Sequence, residues 1–198
     1  MFSAILLAAG SSRRMGNANK LLLPYRDKTI LAITAGQILA SGIDELIVVT
    51  GHEPAAIREA LRDLPVTITH NPLYEEGMTT SIQAGIRIAR GEGYMICLSD
   101  MVLITSEEYA SLRHAFKEHY PSDDQCIIQP EYEGEKGNPV IFSSAYRSAI
   151  LQHPEKEGCK QILRSNATHI VPVSMLTDHI LRDIDTPDEY QSLPARAT

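Results

Sequence analysis

The chain has no apolar run approaching the roughly 20 residues that a membrane-spanning helix needs, so insertion as a helix is not expected. Its opening, MFSAILLAAGSSRRMG, has no basic segment ahead of the apolar stretch. The arginines come after it, the reverse of a secretion signal, and the stretch reads as a buried first strand. Cysteine is scarce: Cys97, Cys126 and Cys159 are far apart and lack the paired spacing of a disulfide framework, a zinc site or a redox motif. A reducing cytoplasm is the expected compartment. Positive charge is also short, with 18 Lys and Arg against 25 Asp and Glu and a net charge of -7. That argues against nucleic acid as the main partner, because binding a phosphate backbone takes a broad basic surface. A small polyanion remains open, since a few local cations, backbone N–H groups and a metal ion can hold it on an acidic protein.

Several catalytic and nucleotide-binding signatures are missing. There is no GxxxxGK[ST] loop, no GxGxxG and no GxSxG elbow, which removes the usual support for a P-loop, a dinucleotide fold and a serine hydrolase. Internal repeats, low-complexity tracts and long linkers are absent too. A length of 198 residues, 43% hydrophobic and 22% charged, then suggests one soluble domain spanning 1–198 with one continuous core.

What is present is an alternation of apolar runs with amphipathic stretches, the pattern of an α/β fold. SAILLAA is the first strand, a helix is predicted over 29–41 before Gly42, and ELIVVTG is the next strand. Pro54 opens a helix over 55–64, followed by VTITH. A helix over 79–90 leads to the strand YMICLSD, and a capped helix over 106–120 leads to QCIIQP and PVIFS around the turn-rich EYEGEKGN, a hairpin or flap. Helices around SAYRSAILQ and CKQILRS, a strand in THIVPVS and a helix after Pro187 complete the chain.

The segment LAAGSSRRMGNANKLLLP, residues 7–24, follows the first strand directly. Ala8, Ala9, Gly10, Ser11 and Ser12 are small enough for backbone N–H groups to approach an anion, and Arg13, Arg14 and Lys20 add fixed positive charge. A triphosphate suits such a loop; a glycine turn with solvated basic residues is the plain alternative. Asp100 ends a strand where open α/β sheets bind ligands, yet an acid there could also cap the next helix. The segment around Asp183 and Asp185 offers a second carboxylate, and is equally a good helix start with Pro187 at an early position. Thr79, Thr80 and Ser81 open a helix after Gly77, so hydroxyls and N–H groups converge there, with N-capping as the plain alternative. Asn71 and Pro72 are expected to shape the preceding loop. His52 has no second His or Cys at metal spacing and reads as a loop or supporting residue.

These motifs resemble the MobA-like nucleotidyltransferases, and most closely their molybdenum cofactor cytidylyltransferase branch. The loop resembles the LAAGxSxRMGxxK signature. NPLYEEGMTTSIQAG at 71–85, LSDM at 98–101, GNPV at 137–140, EGCKQIL at 157–163 and DIDTPDEY at 183–190 extend the likeness over nearly the whole chain. The resemblance implies a Rossmann-like three-layer sandwich with a mostly parallel mixed sheet, of the nucleotide-diphospho-sugar transferase type. It also implies transfer of a nucleotidyl group, with CMP from CTP favoured, to a phosphorylated acceptor of molybdopterin type, with release of pyrophosphate. A molybdoenzyme would be the recipient of the product. Arg14 and Lys20 match the basic residues that clamp phosphates. Leu7, Ala8, Ala9, Gly10, Ser11, Thr80, Ser81 and Asp100 match nucleotide-binding positions. Asp100 and Asp185 match magnesium ligands, with Asp183 competing for the second place, and Gly137 and Asn138 match a segment lining the acceptor pocket. Related guanylyltransferases usually carry Gly where Ala9 stands, which leans the base choice toward cytosine. Two departures concern the acceptor: Val102 stands where the family has Pro after the acidic motif, and PYRDKT lacks the usual Gly near PxxG. A sugar or polyol phosphate as acceptor, GTP as donor, or an idle protein that handles the cofactor are the competing readings.

Overall fold

The computed structural model describes residues 1–12, 15 and 18–194. Its frame is an eight-stranded sheet built from β1 (Phe2–Ala8), β4 (Glu45–Thr50), β5 (Thr67–His70), β6 (Gly93–Leu98), β7 (Ile127–Tyr132), β8 (Glu135–Lys136), β9 (Val140–Ser143) and β10 (Ile170–Ser174). The spatial order is β10-β7-β9-β6-β1-β4-β5, with β8 paired to β7. Pairs β6·β1, β1·β4, β4·β5 and β7·β10 are parallel, whereas β9 runs antiparallel to both β6 and β7. A separate short hairpin joins β2 (Pro24–Tyr25) to β3 (Lys28–Thr29).

Among the described residues seven α-helices cover the frame: α1 (Ile30–Ala40), α2 (Pro54–Ala60), α3 (Met78–Ile88), α4 (Ser106–His119), α5 (Arg147–Gln152), α6 (Lys160–Ser165) and α7 (Pro187–Gln191). The sheet's alternation sorts them into layers. Phe2, Ala4, Leu6 and Ala8 of β1 face one way, into a core with Leu31, Ala35 and Ile38 of α1, Ile57 of α2 and Leu112 and Phe116 of α4. Ile5, with Ile47 and Val49, faces the other way, toward Ile82 and Ile86 of α3, Ile150 of α5 and Ile162 of α6. Both faces of the central strands are therefore covered, which is why β1 and β6 read as continuous apolar runs rather than alternating ones. The result is one α/β domain of three layers with a mostly parallel mixed sheet. Among the described residues no helix is long and apolar enough to cross a membrane, and all three cysteines are buried and unpaired.

Element boundaries follow local chemistry. Thr29 caps α1 by accepting from Ala32 N, so the helix begins one residue later than predicted. The predicted helix over 55–64 stops at Ala60, beyond which the chain continues as tight turns whose N–H groups reach back three residues, Leu61 N to Arg58 O and Arg62 N to Glu59 O. EYEGEKGN is a hairpin: β7 returns as β8 through Glu133 and Gly134, both at positive φ. In PYRDKT the turn is made without glycine, by Arg26 at φ 56°, and its guanidinium lies 5.1 Å from the centroid of the Tyr25 ring.

Candidate active site

Three neighbouring parallel strands, β6, β1 and β4, end on the same side of the sheet, and the loops after β6 and β1, with the segment from β5 into α3, line a cavity of about 470 Å³. Crevices at the carboxyl ends of such strands are where open α/β sheets hold ligands. Ala9, Gly10, Ser11 and Ser12 form one wall after β1, Ser99 and Asp100 another after β6, and Tyr74 and Ser81 close the β4 side. A Cβ placed on Gly10 would meet nothing within 4 Å, so the space it would fill is cavity, open to a ligand that needs the backbone close.

At the β6 side three carboxylates converge: oxygen atoms of Asp100, Asp183 and Asp185 lie within 4.8 Å of one another. Lys20 joins them. Its Nζ is 2.6 Å from Asp100 Oδ2 and 2.6 Å from Asp185 Oδ1. The lysine main chain is fixed by a short 3₁₀ turn, Lys20–Leu22, in which Asn19 accepts from Leu21 N, while Lys20 N donates to Ser12 Oγ at 3.2 Å. Burial alone would lower the Lys20 pKa, but the charges and hydrogen bonds of Asp100 and Asp185 outweigh it and hold the ammonium above its ordinary value. Asp183 is displaced upward, first by burial and then by the charges of Asp100 and Asp185, which one ammonium does not offset. Asp100 Oδ1 is buried with no hydrogen-bond partner. A dense set of hard oxygen donors, one of them unsatisfied, fits a divalent cation such as magnesium.

Competing structural roles for these acids are taken by other residues. Helix α4 is capped by Thr105, whose hydroxyl accepts from Glu108 N in a reciprocal capping box, so Asp100 is not needed there. Helix α7 is capped in the same way by Thr186 with Glu189. The segment carrying the second and third carboxylates is anchored by Ile184, which is 3% exposed and packs with Tyr25, Ile30 and Val102. Its N–H also donates to Asp100 O at 3.2 Å. Val102, standing where the resemblance led to Pro, thus helps dock the strap that carries Asp183 and Asp185.

Helical phase separates the three hydroxyls at the start of α3. Gly77 occupies the N-cap position, so none of them caps the helix. Thr79 Oγ1 accepts from Gly158 N, tying in the chain before α6. Thr80 Oγ1 is placed to donate to Leu73 O or Gly77 O, and it does not line the cavity. Ser81 does. Buried Asn71 donates to both Thr80 Oγ1 and Ser81 Oγ, and its own Oδ1 accepts from Leu73 N, so this residue does shape the loop. With its oxygen already accepting, the Ser81 hydroxyl proton is available to a ligand.

A second cavity, of about 410 Å³, lies on the β9 side of β6 and shares Met78 and Leu98 with the first. Ile82, Ile96, Val140 and Phe142 give it apolar walls, with Asn138, Lys156 and Lys160 as polar lining. Asn138 lines this cavity. Gly137 does not line the cavity, and its missing side chain has a packing cause: a Cβ there would collide with the Ile180 carbonyl. Tyr74 and Met78, inside the motif at 71–85, and Lys156, just before the motif at 157–163, were not singled out from sequence. Leu7 lines the first cavity, whereas Ala8 points into the core. Arg14, and with it Arg13, lies outside the described residues. His52 is a loop residue, its N–H donating to Ala9 O and its ring 6.5 Å from that of Tyr74.

One cavity with a small-residue loop and a cation-binding cluster, adjoining a second cavity across a single strand, can bring a polyphosphate and an acceptor to one point. Over 98% of its length the chain is 28% identical to the molybdenum cofactor cytidylyltransferase of Escherichia coli, covering 96% of that protein. It is 26% identical, over 95% of its length and 80% of the relative, to a probable molybdenum cofactor guanylyltransferase of Methanosarcina mazei. A nucleotidyl transferase from Methanothermobacter thermautotroptrophicus has the same fold, with a TM-score of 0.84 at 23% identity over 96% of this chain and 94% of the other. The description of the MobA-like NTP transferase domain matches residues 4–171, so this chain is a nucleotidyltransferase belonging to the MobA-like family.

Proposed function

We propose that the protein transfers CMP from CTP to the phosphate of a molybdopterin-type acceptor in the cytoplasm, with magnesium as the cation. The observation that supports this reading is the carboxylate cluster at the first cavity, lined by Asp100 and Asp185, which shares Met78 and Leu98 with the second; we assign the nucleotide to the first cavity and the acceptor to the second. Neighbouring strands are about 4.8 Å apart, so the ends of β6 and β4, separated by β1, stand about 10 Å apart, suited to a nucleotide with phosphates at one end and base at the other.

A divalent cation held by Asp100 and Asp185, with Asp183 beside them, supplies charge neutralisation on the polyphosphate. The loop at Gly10, Ser11 and Ser12 presents backbone to the phosphates. An oxygen of the acceptor phosphate attacks the α-phosphorus; a new P–O bond forms as the α–β P–O bond breaks, and pyrophosphate departs with that electron pair. No protein base is required, because the attacking phosphate is already an anion. Lys20 and Arg14 stabilise negative charge on the departing pyrophosphate.

Ser81 is assigned to the nucleoside and Thr80 to the loop. Ser81→Ala is expected to weaken CTP binding several-fold and, because Ser81 Oγ also accepts from buried Asn71, to lose stability on the same scale as Thr80→Ala, whose CTP binding should be unchanged. Thr80→Ala removes the partner of a buried amide and should cost about 1–3 kcal/mol of stability. Calorimetric titration with CTP beside thermal melts of both variants checks the division of roles.

Ala9 carries the donor preference. It is 5% exposed, lines the cavity, and its Cβ would lie 2.9 Å from a Cβ on Gly51, so the wall there is tightly filled. The larger guanine is penalised by that methyl group more than cytosine is, by about 1–3 kcal/mol. Competition between CTP and GTP on the wild type should favour CTP about tenfold or more, and Ala9→Gly should narrow the ratio without abolishing turnover. A GTP preference in the wild type would overturn the donor assignment.

A further inference from the structure

The Lys20 ammonium stands where a bound cation belongs. It bridges Asp100 Oδ2 and Asp185 Oδ1 at 2.6 Å each, and Asp100, Asp183 and Asp185 each bring one carboxylate oxygen within 4.8 Å of the others. A magnesium ion on the same oxygens would lie about 2.0–2.1 Å from each. Ammonium and metal ion therefore contend for one space, and like charges so close repel strongly.

We propose that Lys20 is a resident counter-ion of the metal site: in the nucleotide-free protein it holds the carboxylates together, and it leaves them when a polyphosphate in the adjoining loop offers its ammonium another anion. The proposal rests on the nucleotidyl-transfer reading and adds an order to it, in which cation and nucleotide enter together. The ammonium does not complete the cluster as a permanent salt bridge would. Asp100 Oδ1 stays buried without a hydrogen-bond partner. The move is also local. Lys20 N is pinned to Ser12 Oγ at 3.2 Å, and Gly10, Ser11, Ser12 and Lys20 line the same cavity, so the flexible stem swings from acids to loop while the backbone stays in place.

The test is Mn²⁺ binding to the full-length protein without nucleotide, read by loss of the free-ion EPR signal, for wild type, Lys20→Met and Lys20→Arg. Lys20→Met should bind Mn²⁺ at least tenfold more tightly than wild type, because the competing charge is gone. Lys20→Arg keeps a cation in place and should bind no more tightly than wild type. Thermal melts confirm that each variant is folded, and Lys20→Gln replaces Lys20→Met in the comparison if the latter is not. Equal or weaker Mn²⁺ binding by the neutral variant, or equal tightening in Lys20→Arg, overturns the proposal. Nucleotidyl transfer is read separately by pyrophosphate release, so failure of that assay with every nucleotide would remove the functional reading and leave the Mn²⁺ comparison to stand on its own.

Discussion

Asp100→Asn is expected to reduce cation-dependent turnover by two orders of magnitude or more while moving the melting temperature by only a few degrees. The substitution keeps the volume and removes the charge. In the fold Asp100 contributes its main-chain carbonyl to Ile184 N, which Asn preserves, and the cap of α4 belongs to Thr105. What is lost is one half of the pair that Lys20 bridges and the charge on a buried, unpartnered oxygen. Lys20 retains Asp185, and the pair lost is partly exposed, with side chains 13% and 17% accessible, so a stability cost of about 1 kcal/mol is the appropriate scale. Parallel measurement of melting temperature and kcat decides the matter. A variant that unfolds, but whose folded fraction is fully active, would make Asp100 a structural residue and nothing more.

Lys20→Ala is expected to lower turnover more than tenfold, the loss that follows when a cationic contact to a reacting phosphate is removed. Its stability should respond differently from that of Asp100→Asn. Removing the ammonium leaves three carboxylates within 4.8 Å of one another with no lysine between them, so the variant's melting temperature should fall in EDTA and recover when Mg²⁺ is added. The wild type should show a smaller Mg²⁺-dependent rise, since its lysine already holds the acids. Thermal melts with and without Mg²⁺, beside steady-state kinetics, separate the two effects. Unchanged turnover would remove Lys20 from the mechanism.

The layered α/β frame was legible because buried parallel strands announce themselves: SAILLAA and YMICLSD are apolar on both faces and end on small or acidic residues. The acidic cluster was half legible. Asp100 and Asp185 stood out at strand end and helix start, but sequence alone set Asp183 against Asp185, whereas the strap anchored by Ile184 presents both. The position of the Lys20 ammonium could not be read at all. Its partners lie 80 and 165 residues away, and only the close approach of the β1 loop, the β6 end and the C-terminal strap brings them together. Thr80 and Ser81 illustrate a different limit. Adjacent residues on a helix differ by about 100° in direction, so which hydroxyl meets the cavity depends on where the helix starts, and Gly77 fixes that. The second cavity was invisible as a whole because its walls come from β6, β9, α3 and the chain around α6, each of which looks like ordinary core in isolation.

The most direct test of the central claim is pyrophosphate release by the purified protein with each of the four nucleoside triphosphates, Mg²⁺ and a molybdopterin acceptor. Release is expected to need both cation and acceptor, to be fastest with CTP, and to stop in EDTA. Release that persists undiminished in EDTA, or none with any nucleotide when the acceptor is present, would contradict the account.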